Sequence, residues 1–161
     1  MSRLPHSHQW PTRRQRAFTL IEIAVVVVII GVLIALTLPG YRRIRIKSQA
    51  TAVTNDLRTF AGLFSNYNLQ NSAWPIGDAP GVIPSEMDKS LTTGFTQNTP
   101  IGGKYQWISN STYKAAIGIT LDGGADLELL EMVDSMIDDG DLATGKLTVS
   151  GVDLIYVIEE K

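Results

Sequence analysis

No charged residue occurs between Ile23 and Leu38, and the apolar run that holds them opens at Phe18, with one carboxylate, Glu22, near its start. The 21 residues from Phe18 to Leu38 span about 30 Å as an α-helix, the thickness of a bilayer core. Past Pro39 the pattern changes. Ile46, Ala50, Val53, Leu57, Phe60, Phe64 and Tyr67 recur at alternating spacings of 4 and 3, one apolar stripe on an otherwise polar helix. A stripe of this kind serves a coiled coil or a helix laid on a sheet, and the mixed patterns that follow it favour the sheet. Asn71-Ser72-Ala73-Trp74-Pro75 ends the helix, because the residue before a proline disfavours the α region.

Residues 74–103 are rich in proline and glycine and read as loop, with a short helix over 84–91 and anchors at Trp74, Phe95 and Ile101. Residues 105–108 and 113–120 read as strands joined at Asn110-Ser111. Residues 125–137 read as a helix turning Leu127, Leu130, Met132 or Val133, and Met136 or Ile137 inward, with Gly140 as its terminator. Residues 146–149 and 154–159 read as closing strands. The expected fold class is α+β, a long N-terminal transmembrane and amphipathic helix packed on a small, mainly antiparallel sheet. Pro39 removes a backbone donor from the helix and Gly31 weakens it, so both are candidate kink positions.

Composition narrows the function. A chain of 161 residues holds one compact domain plus an anchor. The absence of cysteine excludes a disulfide framework and any thiolate metal site. The formal charge of −2 conceals an asymmetry: Arg3, Arg13, Arg14 and Arg16 precede the apolar run, and Arg42, Arg43, Arg45 and Lys47 follow it. From residue 48 onward 6 bases face 15 acids, a pattern that excludes the clustered basic face of a nucleic-acid-binding domain. Loop charge favours a cytoplasmic N-terminus by a thin margin. An ordinary cleaved signal peptide has a shorter core, about 7–15 residues, and a small-x-small site; here Pro39-Gly40-Tyr41-Arg42-Arg43 follows instead. Glu22 is costly in such a segment, roughly 2.5–3.5 kcal/mol at a helix centre and less near an end, so a chain that keeps it has a use for it.

From Arg13 to Pro39 the sequence resembles the type IV pilins and type II secretion pseudopilins, and the stretch Phe18-Thr19-Leu20-Ile21-Glu22 carries most of that resemblance. The resemblance implies a leader over residues 1–17 and cleavage by a prepilin peptidase between Ala17 and Phe18, followed by N-methylation of Phe18. Ala17 stands where the family usually has glycine. Glu22 falls at the family's glutamate, and Gly31 and Pro39 at its helix glycine and proline. The implied organisation is a cytoplasmic leader (1–17), a transmembrane and assembly helix (18–39), its amphipathic continuation (40–73) and an extracytoplasmic α+β head (74–161).

The freed Phe18 amine lies at the membrane depth of Glu22, and pairing it with Glu22 of a neighbouring subunit neutralises both where water is scarce. The alternative for Glu22 is snorkelling to the headgroups. The expected function is a structural subunit of a pilus-like or pseudopilus filament, not an enzyme. Its implied partners are other pilin subunits, the peptidase, an inner-membrane platform protein and an assembly ATPase. The implied location is the bacterial inner membrane, with the head periplasmic, and then a periplasmic or surface filament. The missing cysteine pair leans toward a pseudopilin or a pilin without disulfides. A plain single-pass anchored binding domain without cleavage stays open.

Other chemistry is thin. Residues 140–146 match a phosphate-binding loop until Leu147, which stands where Ser or Thr must hold magnesium, and the helix-to-strand order is reversed. His6 and His8 fall in the leader, and no other histidine exists for a hydrolytic triad or zinc site. No cofactor is expected, with calcium as the alternative. Asp138, Asp139 and Asp141 offer oxygen ligands, joined by Asp122 or Asp153, without the twelve-residue EF-hand pattern. Major pseudopilins use calcium in C-terminal loops, although acids at a helix end are more often simply solvated.

Overall fold

Residue patterning and backbone agree closely along this chain. The computed structural model describes residues 18–87, 91, 93–121, 123 and 126–161. The expected leader, with Ala17, and Asp122 lie outside them. The first helix, α1, covers Leu20–Asn71 and runs without interruption through Gly31 and Pro39. It belongs to two units that part between Gly40 and Tyr41.

In the first unit every described side chain from Phe18 to Leu38 is exposed, as a membrane-grade helix must be when no neighbour covers it. The hydroxyl of Thr37 donates back to the carbonyls of Leu33 (3.1 Å) and Ile34 (3.0 Å), so this polar side chain in the apolar run is satisfied inside its own helix.

In the second unit the stripe predicted from spacing is the inner face of α1. Ile46, Ala50, Val53, Leu57, Phe60 and Phe64 are buried and Tyr67 is half-buried. They pack on a sheet of four strands: β1 (Lys104–Ile108), β2 (Tyr113–Thr120), β3 (Leu147–Ser150) and β4 (Asp153–Glu160). The spatial order is β1-β2-β4-β3, every pairing antiparallel, with Trp107 opposite Ile117 and Ile117 opposite Tyr156. The face turned to α1 carries Tyr105, Trp107, Ile117, Ile119 and Leu154, all buried. A smaller cluster of Ala116, Ile155 and Val157 covers the reverse face.

The loop before β1 is anchored by aromatic packing. Phe95 is fully buried against Phe60 and Phe64, and Trp107 donates to the Pro75 carbonyl at 2.9 Å. Trp74 and Ile101, the other expected anchors, are half-buried at the edge of the core. Within the tract 84–91, expected as a short helix, Ser85–Met87 forms a 3-10 turn and the Leu91 N–H donates back to the Met87 carbonyl, while residues 88–90 lie outside the described residues. A second such turn, Thr93–Thr96, forms where loop was expected. Gly103 needs its left-handed backbone and its missing Cβ, which would lie 1.6 Å from the Thr120 carbonyl oxygen.

The second helix, α2, covers Leu127–Ile137, and Asp126 caps it by accepting from the Glu128 N–H. Leu127 was expected to face inward but is 61 % exposed, because it opens the first turn beyond the edge of the core; Leu129 is buried in that turn. Leu130 and Val133 are buried as expected, while Met132, Met136 and Ile137 are half-buried. α2 lies beside α1, held at its start by Arg42, which reaches Asp126 (3.0 Å) and Glu128 (3.3 Å). At its end Arg58 donates to the Met136 carbonyl at 2.5 Å, a cation where a helix terminus is negative.

Candidate functional site

Two places carry the chemistry singled out in the sequence: the start of α1 and the turn that follows α2. At the first, Thr19 precedes the helix and its hydroxyl accepts from the Glu22 N–H at 3.3 Å, while its carbonyl accepts from Glu22 (3.1 Å) and Ile23 (3.4 Å). Thr19-Leu20-Ile21-Glu22 has the spacing of a capping box. Glu22 is thus the acid of the first turn, where the positive helix end favours it. The sequence reading gave Glu22 a partner on another subunit and missed this local role, although a Thr three residues before a Glu at a helix start is its usual signal. Phe18 is 74 % exposed beside it. Gly31 and Pro39 lie farther along the same helix, and Ala17 lies outside the described residues.

At the second place α2 gives way to the turn 138–146. Asp138 ends the helix, its N–H bonded to the Asp134 carbonyl at 2.7 Å, and Gly140 takes a left-handed backbone. The acids hold the turn by accepting backbone and hydroxyl donors. Asp138 Oδ2 accepts from the Lys146 N–H; Asp139 Oδ1 accepts from the Asp141 N–H (2.9 Å) and its Oδ2 from the Thr144 hydroxyl (3.0 Å). Asp141 Oδ1 accepts from the Ala143 N–H at 3.0 Å. The Asp141 and Thr144 donors hold the Asp139 carboxyl below its ordinary range.

Structure groups the expected acids differently from spacing. The carboxylates of Asp138 and Asp139 lie together with that of Asp134, their nearest oxygens all within 4.8 Å of one another, and Asp141 is not in the group. Asp134 had not been singled out. Its side chain is fully buried, and neither oxygen has a hydrogen-bond partner. Burial first, then the charges of Asp139 and Asp138, push its carboxyl above the ordinary range; the Gly140 N–H faces it without meeting hydrogen-bond geometry and offsets part of that. Asp134 follows Leu130 by four residues, so helical phase placed it inward while its charge argued against burial.

Residues 12–38 match the model of the prokaryotic N-terminal methylation motif. The chain is similar to type II secretion system core protein G of Klebsiella pneumoniae, 43 % identical over 63 residues that make up 39 % of this chain and 45 % of that one. The chain thus spans less than half the length of that relative. It is 40 % identical to the core protein G of Dickeya chrysanthemi over 107 residues, 60 % of this chain and 70 % of that one. Its fold is similar to that of the major type IV pilin PilA1 from Clostridium difficile, with a TM-score of 0.52, 16 % identity, and coverage of 71 % of this chain and 97 % of that one.

Proposed function

The chain belongs to the type IV pilin and type II secretion pseudopilin family, and on that premise we propose that it is a structural subunit of a pseudopilus-type filament. The observation that carries this reading is the first half of α1, long and apolar enough to cross a membrane and with none of its described side chains covered. Such a surface is stored in lipid and then buried against copies of itself, which costs little because both surroundings are apolar. Residues 41–161 would form the filament's acidic exterior.

In this reading the peptidase cuts between Ala17 and Phe18 and the new amine is methylated. The cut removes 17 residues and four arginines, taking the formal charge from −2 to −6. Glu22, set in the first turn by Thr19, then receives the amine of a neighbouring Phe18. An unpaired charge at that depth is strongly unfavourable, so the pairing sets the register between subunits. The inner-membrane platform protein and the assembly ATPase supply the work of polymerisation, and the subunit itself is no catalyst.

The likeness in fold to a type IV pilin supports a second reading, a subunit of a surface pilus; imaging where the filament ends, inside the periplasm or beyond the cell, separates the two. Mass spectrometry of the chain from cells carrying the assembly machinery tests both. N-methylated Phe18 is the expected terminus. An N-terminus still at Met1 would overturn both readings in favour of a plain anchored domain.

A further inference from the structure

We propose that Tyr41, Arg43, Ile44, Arg45 and Lys47 form a collar on α1 that binds the headgroup phosphates of anionic phospholipid where the chain leaves the membrane. This rests on the reading of the chain as a membrane-stored subunit. Arg42, Arg43, Arg45 and Lys47 follow the apolar run, and no acid occurs in the chain between Glu22 and Asp56. In the proposed orientation these bases stand on the outer side of the membrane, where the usual bias in loop charge disfavours them. Bases kept against that bias have a use.

Contacts inside the fold account for one of them. Arg42 reaches Asp126 at 3.0 Å and Glu128 at 3.3 Å, at the start of α2. Arg43, Arg45 and Lys47 are exposed, and their side chains make no ion pair or hydrogen bond with the described residues. The fold thus leaves these cations without a counter-charge.

Spacing joins them into one surface. Arg45 and Tyr41 are four residues apart, Tyr41 and Ile44 three, Ile44 and Lys47 three, and Lys47 and Arg43 four, so each side chain neighbours the next on the helix. Ile46 alone in this segment is buried. Tyr41 and Ile44, 69 % and 70 % exposed, place apolar bodies among the cations. A headgroup layer suits this mixture: tyrosine is favoured at the membrane interface, and Arg and Lys lay their stems along apolar surface while their charges stay with polar groups. The segment rises about 9 Å along the helix, close to the roughly 5–8 Å of headgroup layer on one side of a bilayer. It starts three residues past Leu38, where the apolar run ends. An acidic head of a neighbouring copy could answer the charges, but it would not account for that placement or for the tyrosine. Bound in this way, lipid would fix the depth of the stored subunit before assembly.

The test uses the full chain in neutral detergent, offered equal amounts of phosphatidylglycerol and phosphatidylcholine, with the retained lipid counted by native mass spectrometry. Phosphatidylglycerol should be preferred by on the order of a hundredfold at low salt, about fivefold for each of the three free bases. The preference should shrink in 0.5 M sodium chloride. Arg45→Gln should lose about fivefold, the triple variant Arg43→Gln, Arg45→Gln, Lys47→Gln nearly all of it, and Lys161→Gln, an exposed base past the end of β4, none. Equal retention of the two lipids by the unmodified chain, or an undiminished preference in the triple variant, would overturn the proposal. A triple variant that keeps its lipid but fails to form filaments would assign the bases to a neighbouring head instead. In a parallel arm the full chain is reconstituted in phosphatidylcholine vesicles and washed with alkaline carbonate. Release from these vesicles would overturn the membrane-stored reading and the collar with it, whereas a chain that stays but shows no lipid preference would remove the collar alone.

Discussion

The rings of Phe64 on α1 and Trp107 on β1 lie face to face, their centroids 3.8 Å apart and their planes 9° from parallel. This contact joins the long helix to the sheet at the centre of the core, where both side chains are fully buried. Ring stacking adds to the burial of two large apolar surfaces. Phe64→Ala is therefore expected to destabilise the second unit by about 3–5 kcal/mol. Chemical denaturation of the full chain, followed by Trp fluorescence, measures that loss.

Gly145 has φ +80°, and a Cβ added there would fall 1.9 Å from Asp138 Oδ2. Left-handed backbone costs a non-glycine residue roughly 1–2 kcal/mol before any collision is counted. Moving the Asp138 carboxylate would also break its bond to the Lys146 N–H. Gly145→Ala should lose about 2–4 kcal/mol in the same denaturation measurement. Gly151→Ala makes the comparison: its φ is also positive, but its Cβ meets nothing within 4 Å, so its loss should be the smaller.

Stability should fall in acid partly through Glu159. Its carboxylate pairs with Lys114 and accepts from Trp74 Nε1 at 2.8 Å, and these two contacts, Lys114 first, hold its carboxyl below the ordinary range. A lowered folded value means that the contribution is complete above the unfolded value, about 4.3, and is lost as pH falls through the folded one. Between pH 5 and the acid limit of folding, Tm of the unmodified chain should therefore drop more steeply than that of Glu159→Gln. Parallel acid curves for the two proteins would refute this account.

Glu22 separates local from intersubunit roles. Thr19 caps α1 through the Glu22 backbone N–H, a bond that survives when the Glu22 side chain is removed. Glu22→Ala should leave the fold of residues 41–161 unchanged in circular dichroism and sharply reduce the yield of sheared filaments. Normal filament yield would remove the amine–carboxylate pairing from the assembly scheme.

Most of the fold was legible in the chain because its signals are periodic. Ile46 through Phe64 declare a helix face by spacing alone, and the structure buries every one of them. The four strands lie within one or two residues of the alternating and apolar stretches that announced them. The errors fall where a local signal competes with position. Leu127 is apolar and in a helix, yet it sits in the first turn, past the edge of the surface that could bury it. Residues 93–96 read as loop, yet they form a 3-10 turn that carries the fully buried Phe95.

The membrane-grade helix and its lone Glu22 followed from the sequence by itself, because length, charge and spacing are properties of adjacent residues, and the proposed scissile bond before Phe18 followed from the resemblance of that stretch to a known family. Tertiary structure decided the order β1-β2-β4-β3 and the gathering of Asp134 with Asp138 and Asp139. Strand order depends on which edges meet after the chain folds back, and nothing in a strand's own residues names its neighbour. Asp134 carries the same lesson for the candidate site: its burial is imposed by the helices and strands around it, and only their packing turns an ordinary acid into one that lacks a counter-charge.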